Sequence, residues 1–355
     1  MNMSNEIKPQ WSAREYREGD EDRILELRGI SLSDSRDIRW WQWMFQNGPA
    51  GPALIWLADN GQKIIGHHAL LPLRVKISDR EHKCCLGFDV MTHPDYQRQG
   101  ILSILRAKIY ESAAENDIRF SLGSATPQIF PVYSKLGSFF ICEPPLLVKT
   151  ISLGKVLKSR FGIPAFIGTI LGYPWERLTG RTSSLPDNDI EIERVLSFDD
   201  TIDSFWLKAS EIKKIMIIRD MKYLNWRYVE KPGDEYIIFV ARRRKEIVGY
   251  IVLKIQTGPM IRGLIIDILT LPGENAVAER LITRATEYLR GEGVAMISCM
   301  MLRDTPYYAT LRKLGFMRRS SGVLFGACLI GQDLPKEILA DPGNWYYTWG
   351  DSDTR

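Results

Sequence analysis

The sequence predicts an α/β protein in which one fold occurs twice in tandem. Residues 88–115 show a strand pattern, then a glycine-containing turn, then a helix pattern. Strand and helix patterns continue to alternate on both sides of this segment. Short motifs of the first half return in the same order in the second half. A length of 355 residues is enough for two domains of common size.

The composition excludes several classes of protein. Hydrophobic residues make up 45% of the chain and charged residues 25%, as in ordinary globular proteins. A net charge of +4 does not by itself indicate a nucleic-acid partner, and the basic run at 242–245 lies between two strand patterns, where a solvated hairpin turn is expected. Residues 1–10 have no signal-peptide core, and the longest apolar run, at 163–173, is too short to cross a bilayer. We therefore expect no nucleic-acid partner and no transmembrane segment.

The cysteines point to a reducing compartment. The chain has five of them: Cys84, Cys85, Cys142, Cys299 and Cys328. Their spacing is neither that of metal ligands nor that of a redox motif, and an odd number argues against a disulfide framework. We expect reduced thiols, a cytoplasmic location and no metal site.

The segment with the clearest chemistry begins with the strand pattern at 88–92. Residues 93–95 (His-Pro-Asp) break this strand, and residues 97–100 (Gln-Arg-Gln-Gly) open a helix whose apolar positions recur at helical spacing. The first free N–H groups of a helix and its macrodipole favour an anion, and Gly100 lets the backbone come close to one. The segment therefore predicts an anion site, although a purely structural turn is the alternative.

A second strand and helix follow. Residues 118–122 have the pattern of a buried strand. Thr126 and Pro127 have the residue types of a helix start, a hydroxyl cap followed by proline. The next residues, 130–137, are Phe-Pro-Val-Tyr-Ser-Lys-Leu-Gly, in which Pro131 predicts a kink or a late helix start.

These segments resemble the GNAT superfamily of acyl-CoA-dependent N-acyltransferases. That family holds the coenzyme A pyrophosphate with a Q/R-x-x-G-x-G/A loop, whose three defined positions correspond to Gln97, Gly100 and Leu102. Leu102 departs from the pattern, which has a small residue there. Residues 133–137 are similar to the family's L-Y-x-K-x-G-F ending. The resemblance implies that each copy has a mixed, mostly antiparallel central sheet flanked by helices.

The resemblance also implies the residues of the site. A loop between strand and helix would bind the pyrophosphate, the backbone at the strand end would bind the thioester oxygen, and Tyr133 would protonate the departing thiolate. The expected cofactor-binding residues are Val90, Met91, Thr92, Gln97, Arg98, Gln99, Gly100, Ile101 and Leu102.

Three residues are candidates for the general base. Asp89 is a polar residue in an apolar strand, about where the family often has a carboxylate. His67 and His68 follow a strand start, and one of them must face the cleft because neighbouring strand residues point to opposite sides. Each candidate has a structural alternative. For Asp89 it is a hydrogen-bonded aspartate, since the second copy keeps Asp267 at the equivalent position.

The internal repeat sets the domain limits. Four motifs recur after 183 or 178 residues: 43–49 with 226–232, 64–66 with 247–249, 89–94 with 267–272, and 135–137 with 313–315. We predict a GNAT domain at 1–150, a helical and apolar linker at 151–188, and a GNAT-like domain at 189–355. The second copy has Asn275, Ala278 and Leu311 where the first has glutamine, glycine and tyrosine, so it is predicted to be degenerate. For the linker, packing helices, a membrane-surface contact and a lid remain alternatives.

The resemblance implies an N-acetyltransferase that moves an acetyl group from acetyl-CoA directly to a primary amine. The expected acceptor is a small molecule, and no metal is needed. No cysteine lies at a plausible nucleophile position, so a covalent acyl-enzyme is not expected. Two fused copies can mimic a dimer, so we expect a monomer. The alternatives are an aminoacyl-tRNA-dependent peptidyltransferase and a non-catalytic coenzyme A sensor or scaffold.

Overall fold

Two β-sheets and the helices around them form the described part of the chain. The computed structural model describes residues 11–33, 35–161, 189–331 and 333–352. Buried side chains from both halves of the sequence belong to one apolar cluster. The predicted fold class is confirmed: both sheets are mixed and mostly antiparallel, with helices against them.

The elements alternate along the chain as the sequence predicts. The strands are β1 (Ser12–Glu15), β2 (Leu54–Asp59), β3 (Ile64–Ile77), β4 (Arg80–Thr92), β5 (Ile118–Ala125), β6 (Phe139–Cys142), β7 (Leu146–Thr150), β8 (Ile190–Val195), β9 (Ile215–Ile217), β10 (Tyr236–Arg243), β11 (Glu246–Gln256), β12 (Arg262–Thr270), β13 (Met296–Met300), β14 (Met317–Arg319) and β15 (Leu324–Leu329). The helices are α1 (Glu21–Leu32), α2 (Ile38–Trp41), α3 (Ile101–Glu115), α4 (Phe130–Lys135), α5 (Leu153–Phe161), α6 (Thr201–Ala209), α7 (Met221–Tyr228), α8 (Asn275–Gly291), α9 (Pro306–Lys313) and α10 (Lys336–Ala340).

The two sheets follow the same plan. The first has the order β1-β2-β3-β4-β5-β15-β6, and the second has the order β14-β7-β13-β12-β11-β10-β8. The short strand β9 also joins the first sheet, by pairing with the end of β3. In each sheet one pair is parallel, β4 with β5 and β12 with β13.

The two halves of the chain exchange one strand each. β7 comes from the first half but pairs with β13 and β14 of the second sheet. β15 comes from the second half but pairs with β5 and β6 of the first sheet. β7 begins at Leu146 and β15 at Leu324, at the 178-residue spacing of the sequence repeat. The exchange is therefore reciprocal. Residues 1–150 contribute strands to both sheets, and so do residues 189–355.

A second reciprocal contact joins positions that the repeat relates. The Trp43 Nε1–H donates to the Trp226 carbonyl at 2.7 Å, and the Trp226 Nε1–H donates to the Trp43 carbonyl at 3.0 Å. Their rings stack with centroids 4.9 Å apart. Equivalent residues that contact each other in both directions indicate a local pseudo-twofold axis between the halves.

The helix after the glycine turn packs on the first sheet through its apolar stripe. Ile101, Leu105 and Ile109 of α3 are buried, as their helical spacing predicts. Gly66 of β3 faces the start of this helix, and a Cβ there would lie 2.5 Å from the Ile101 Cγ2. Glycine at this position therefore sets how closely the helix start approaches the sheet.

Two local predictions have different outcomes. The basic run at 242–245 is a hairpin turn, as predicted, with Arg244 and Lys245 at φ 51° and 72° between β10 and β11. The predicted helix start at Thr126 is wrong, because α4 begins at Phe130. The Thr126 carbonyl instead accepts hydrogen bonds from the N–H groups of Ile129 and Phe130, in the turn that leads into α4. Pro131 lies in the first turn of α4, where proline costs no helical hydrogen bond, so the late start is the alternative found.

Only the first part of the predicted linker can be compared with the structure. α5 forms a helix there, and the Lys155 Nζ donates to the Gly293 carbonyl at 2.6 Å, so this helix packs on the second half. Residues 162–188 lie outside the described residues. The choice among packing helices, lid and membrane contact stays a prediction for them.

Candidate active site

A wedge opens in the first sheet where β4 and β5 leave their parallel pairing. The last paired residues are Leu86 and Leu122. Beyond them β4 continues to Thr92, with a shift in its register against β3. Asp89 lies at this irregularity with φ 45°, a left-handed value that is uncommon outside glycine. A bulge bends its strand, and this bulge lies at the wedge.

The wedge contains a cavity of about 250 Å³, which we call the wedge cavity. Its walls come from the end of α1, from strands β3, β4, β5 and β15, and from helices α3 and α4. His68, Asp89, Val90 and Tyr133, all predicted site residues, lie in these walls. The fold therefore brings together four residues that are up to 65 positions apart in the chain.

Glycines on the adjacent strands β4 and β5 leave the wedge cavity open. Gly123 of β5 is paired directly with Gly326 of β15, and Gly87 lies on β4. A Cβ at Gly123 would meet no atom within 4 Å, and one at Gly87 would meet only the Leu122 carbonyl oxygen at 3.8 Å. The space beside these two residues is available to a ligand because no side chain occupies it.

The predicted phosphate loop lies at the exposed start of α3. Gly100 has φ 77°, and no atom lies within 4 Å of where its Cβ would stand. Gln97, Arg98 and Gln99 are exposed beside it. α3 is 15 residues long, so its first N–H groups and its macrodipole provide a suitable site for an anion.

A second cavity, of about 350 Å³, lies between the two halves, and we call it the interface cavity. Trp40 and Phe88 contribute to its wall from the first half, and Tyr223 and Trp226 from the second. Burial and the neighbouring Arg227 lower the pKa of Lys231, another wall residue, to about 7. Both halves therefore build this cavity.

Asp89 stands between the two cavities in a buried ion pair. It lines the wedge cavity, and its carboxylate pairs with the Arg28 guanidinium, which lines the interface cavity. The side chains are 8% exposed for Arg28 and 5% for Asp89. The Asp89 carbonyl oxygen is also 2.6 Å from the His67 Nδ1. Arg28 thus holds the carboxylate of Asp89 in place. Sequence analysis predicted Asp89 as a site residue but missed Arg28.

The two predicted histidines face opposite sides of the first sheet. His68 lines the wedge cavity, whereas the His67 ring packs against Phe45, with centroids 5.8 Å apart. Burial lowers the pKa of His67, and burial together with the nearby Arg106 lowers the pKa of His68 to about 3. Both imidazoles are therefore neutral at pH 7. The His67 Nε2 and the His68 Nδ1 have no hydrogen-bond partner within the described residues.

Arg106 and Tyr133 form the wall on the side of α3 and α4. The Arg106 guanidinium is buried and donates to the Leu136 carbonyl at 3.3 Å and to the Ser138 Oγ at 3.1 Å. Its Cζ lies 4.3 Å from the ring centroid of Tyr110 and 5.9 Å from that of Tyr133. The predicted acid and a cation that the sequence did not reveal are thus neighbours in the same wall.

The corresponding wedge of the second sheet is filled by the protein itself. Met301, which the 178-residue spacing places at the position of Gly123, is completely buried. The Tyr307 hydroxyl accepts from the Thr270 N–H at 2.8 Å, and the Tyr346 hydroxyl donates to the Ile268 carbonyl. Side chains and backbone contacts therefore occupy the space that is open in the first sheet.

The structure places the predicted site residues in three groups. His68, Asp89, Val90 and Tyr133 line the wedge cavity, while the loop residues Gln97, Arg98, Gln99 and Gly100 are exposed at the start of α3. His67, Met91 and Ile101 are buried, and Thr92 and Leu102 are partly buried. Sequence analysis missed Arg28, Arg106 and the wall contributed by β15, because no local pattern links them to the loop.

The sequence of the first half matches a known family. The family model of the acetyltransferase (GNAT) domain matches residues 12–140, which include the wedge, the glycine turn and Tyr133. Residues 12–140 therefore correspond to a GNAT domain. No curated protein sequence matches the chain.

Solved structures show how far the fold extends. A GCN5-related N-acetyltransferase from Anabaena variabilis ATCC 29413 superposes with a TM-score of 0.65 at 12% identity, over 90% of this chain and 73% of that one. A probable N-acyltransferase from Enterococcus faecalis V583 gives 0.64 at 12% identity, over 90% and 73%. Saccharomyces cerevisiae N-myristoyltransferase with bound myristoyl-CoA gives 0.59 at 9% identity, over 90% and 83%. The chain therefore shares the fold of these structures over most of both halves.

Within the described ranges, no helix is both long enough and apolar enough to cross a membrane. In the same part of the chain, no group of three or more His, Cys, Asp and Glu side chains is arranged to hold a metal ion.

Proposed function

We propose that the protein is an acyl-CoA-dependent N-acyltransferase that moves an acyl group directly from coenzyme A to a primary amine. The observation that supports this best is the open wedge of the GNAT domain. It has a cavity at the bulge of β4, Tyr133 in the wall, and the glycine start of a 15-residue helix after the same strand. Acetyl-CoA, the donor predicted from the sequence, is the simplest donor for a domain of this family.

The residues divide the work of acyl transfer between them. The start of α3, from Gln97 to Leu102, would bind the pyrophosphate, with Gly100 allowing close approach of the backbone. The backbone at Val90, Met91 and Thr92 would polarise the thioester oxygen. Tyr133, in the cavity wall, would give its hydroxyl proton to the departing thiolate.

Asp89 is the proposed base for the ammonium group of the acceptor. Its carboxylate lies at the boundary between the wedge cavity and the interface cavity, where donor and acceptor would meet. His67 and His68 suit this role less well, since burial lowers their pKa values and a weaker base takes a proton from an ammonium less readily. His67 would instead orient the bulge through its contact with the Asp89 carbonyl.

The second half would serve the acceptor rather than the donor. Its own wedge is filled, whereas its residues Tyr223 and Trp226 help to form the interface cavity beside Asp89. This supports a degenerate second GNAT-like domain and a small-molecule amine that binds between the halves. All five cysteines are free thiols, which supports the proposed cytoplasmic location.

Isothermal titration with acetyl-CoA would test the donor site. Gly100→Glu places a carboxylate where the pyrophosphate would bind, and we expect the affinity of the wild type to be lost. Gly61→Glu is the matched control, since Gly61 also has a left-handed φ, of 87°, and no atom within 4 Å of its Cβ position. Equal binding by both variants, or no binding by the wild type, would contradict the proposal. Tight coenzyme A binding without turnover, equal in the wild type and in Tyr133→Phe, would favour the coenzyme A sensor.

A further inference from the structure

The wedge cavity continues past the point where the thioester would lie. With the thioester at Val90, the glycine Gly87 is three residues back along β4, roughly 10 Å at about 3.3 Å per residue. Beside it, Gly123 leaves open space on β5. A two-carbon acyl group would leave this inner part of the cavity empty.

A buried cation also lines the wedge cavity. Arg106 is 7% exposed, and no carboxylate of the described residues lies within ion-pair distance of it. Its two hydrogen bonds go to neutral acceptors, the Leu136 carbonyl and the Ser138 hydroxyl. The carboxylate in the cavity wall, Asp89, is paired with Arg28. A buried guanidinium is costly unless an anion compensates it.

A second polar group in the same wall is also unsatisfied. His68 is 2% exposed and lines the wedge cavity, and its Nδ1 has no hydrogen-bond partner within the described residues. Buried polar atoms normally have partners, so an unpartnered one at a cavity indicates a ligand group that is missing. The guanidinium and the imidazole thus belong to one built site on the α3 side of the sheet.

We propose that the acyl group of the donor is longer than acetyl and ends in a carboxylate, which Arg106 binds and His68 approaches. A dicarboxylic acyl-CoA is the chemical class that fits, and succinyl-CoA is its four-carbon member. The open space beside Gly87 and Gly123 and the buried cation are both accounted for by such a group. This inference rests on the proposed function, since it concerns the donor of the same transfer.

Titration of the full chain with succinyl-CoA, butyryl-CoA and free coenzyme A tests the proposal. The two thioesters have acyl chains of equal carbon number and differ in the terminal carboxylate. We expect the wild type to bind succinyl-CoA at least about tenfold more tightly, as a charge-assisted hydrogen bond would give. In Arg106→Met this preference should vanish while the affinity for butyryl-CoA stays. Ser138→Ala is the control, because it removes a hydrogen bond of Arg106 but keeps the cation.

The outcomes separate this proposal from the proposed function. Equal affinities for both thioesters in the wild type would overturn the carboxylate site and leave the acyltransferase standing. A preference that persists in Arg106→Met would also overturn the role of Arg106. If Arg106→Met does not fold, the ratio of the affinities for succinyl-CoA and butyryl-CoA in the wild type decides. The same ratio is then measured in Arg106→Lys, which keeps the positive charge and should keep part of the preference. Failure of all three ligands to bind would refute the proposed function itself, and the carboxylate site with it.

Discussion

Replacing Asp89 by asparagine should cost the fold several kcal/mol, whatever the role of this residue in catalysis. Asparagine has nearly the same size and tolerates the left-handed φ of 45° as aspartate does, so the change removes the charge and little else. The Arg28 guanidinium then remains buried without its partner. Removal of one partner of a buried ion pair costs about 3–5 kcal/mol. Because the asparagine oxygen can still accept a hydrogen bond, we expect about 3 kcal/mol.

Urea unfolding, followed by the fluorescence of the tryptophans, would measure this loss. Glu111→Gln is the control, because the Lys108–Glu111 pair is exposed and is expected to change the free energy of unfolding by less than about 1 kcal/mol. The double variant Arg28→Met/Asp89→Asn should be more stable than the sum of the single effects predicts, by about 2 kcal/mol.

The reasoning would be refuted by an Asp89→Asn protein as stable as the wild type, with no coupling to Arg28→Met. In that case the ion pair would contribute nothing to folding. Loss of transfer activity with unchanged stability would then make Asp89 a purely catalytic carboxylate. Loss of both properties is what the structure leads us to expect, since the pair stands at the boundary between the cavities.

Three further predictions concern the walls of the wedge cavity. His68 titrates at about 3 in the folded protein and at about 6.5 when unfolded, so the unfolded chain binds the extra proton, and stability falls as the pH falls through this window. Between pH 7 and pH 5 we expect the free energy of unfolding, measured with urea, to fall by about 2 kcal/mol more in the wild type than in His68→Gln. An equal pH dependence of the two proteins would contradict the burial of a neutral His68. Gly123→Val should keep the melting temperature nearly unchanged but weaken the binding of four-carbon acyl-CoA relative to acetyl-CoA in titrations, because its side chain enters open space. Gly326→Ala should instead lower the free energy of unfolding by about 1–3 kcal/mol, because its Cβ would lie 2.6 Å from the Phe139 carbonyl oxygen. A Gly326→Ala protein as stable as the wild type in urea unfolding would contradict this prediction.

The sequence by itself determined the local elements and showed that short motifs recur in the same order in both halves. The apolar residues that recur at helical spacing in α3 are the ones that the structure buries. The glycine turn also lies directly before this helix, as the sequence pattern predicts. The alternation of neighbouring strand residues required one of His67 and His68 to face the cleft, and the structure shows which one does. These features depend on residues close together in the chain. There, apolar residues repeat with a period of 2.0 in a strand and 3.6 in a helix, and the repeat indicates which face of the element is buried.

Tertiary structure alone decided which strands share a sheet and which charges meet. Nothing in the pattern of β7 or β15 shows that each pairs in the sheet of the other half, since a buried strand looks alike in either sheet. The ion pair of Asp89 and the hydrogen bonds of Arg106 depend on contacts between α1, α3, the residues after α4 and the bulge of β4. Helical spacing marks a residue as near the core but not which cavity it lines, because that depends on the packing of elements distant in sequence.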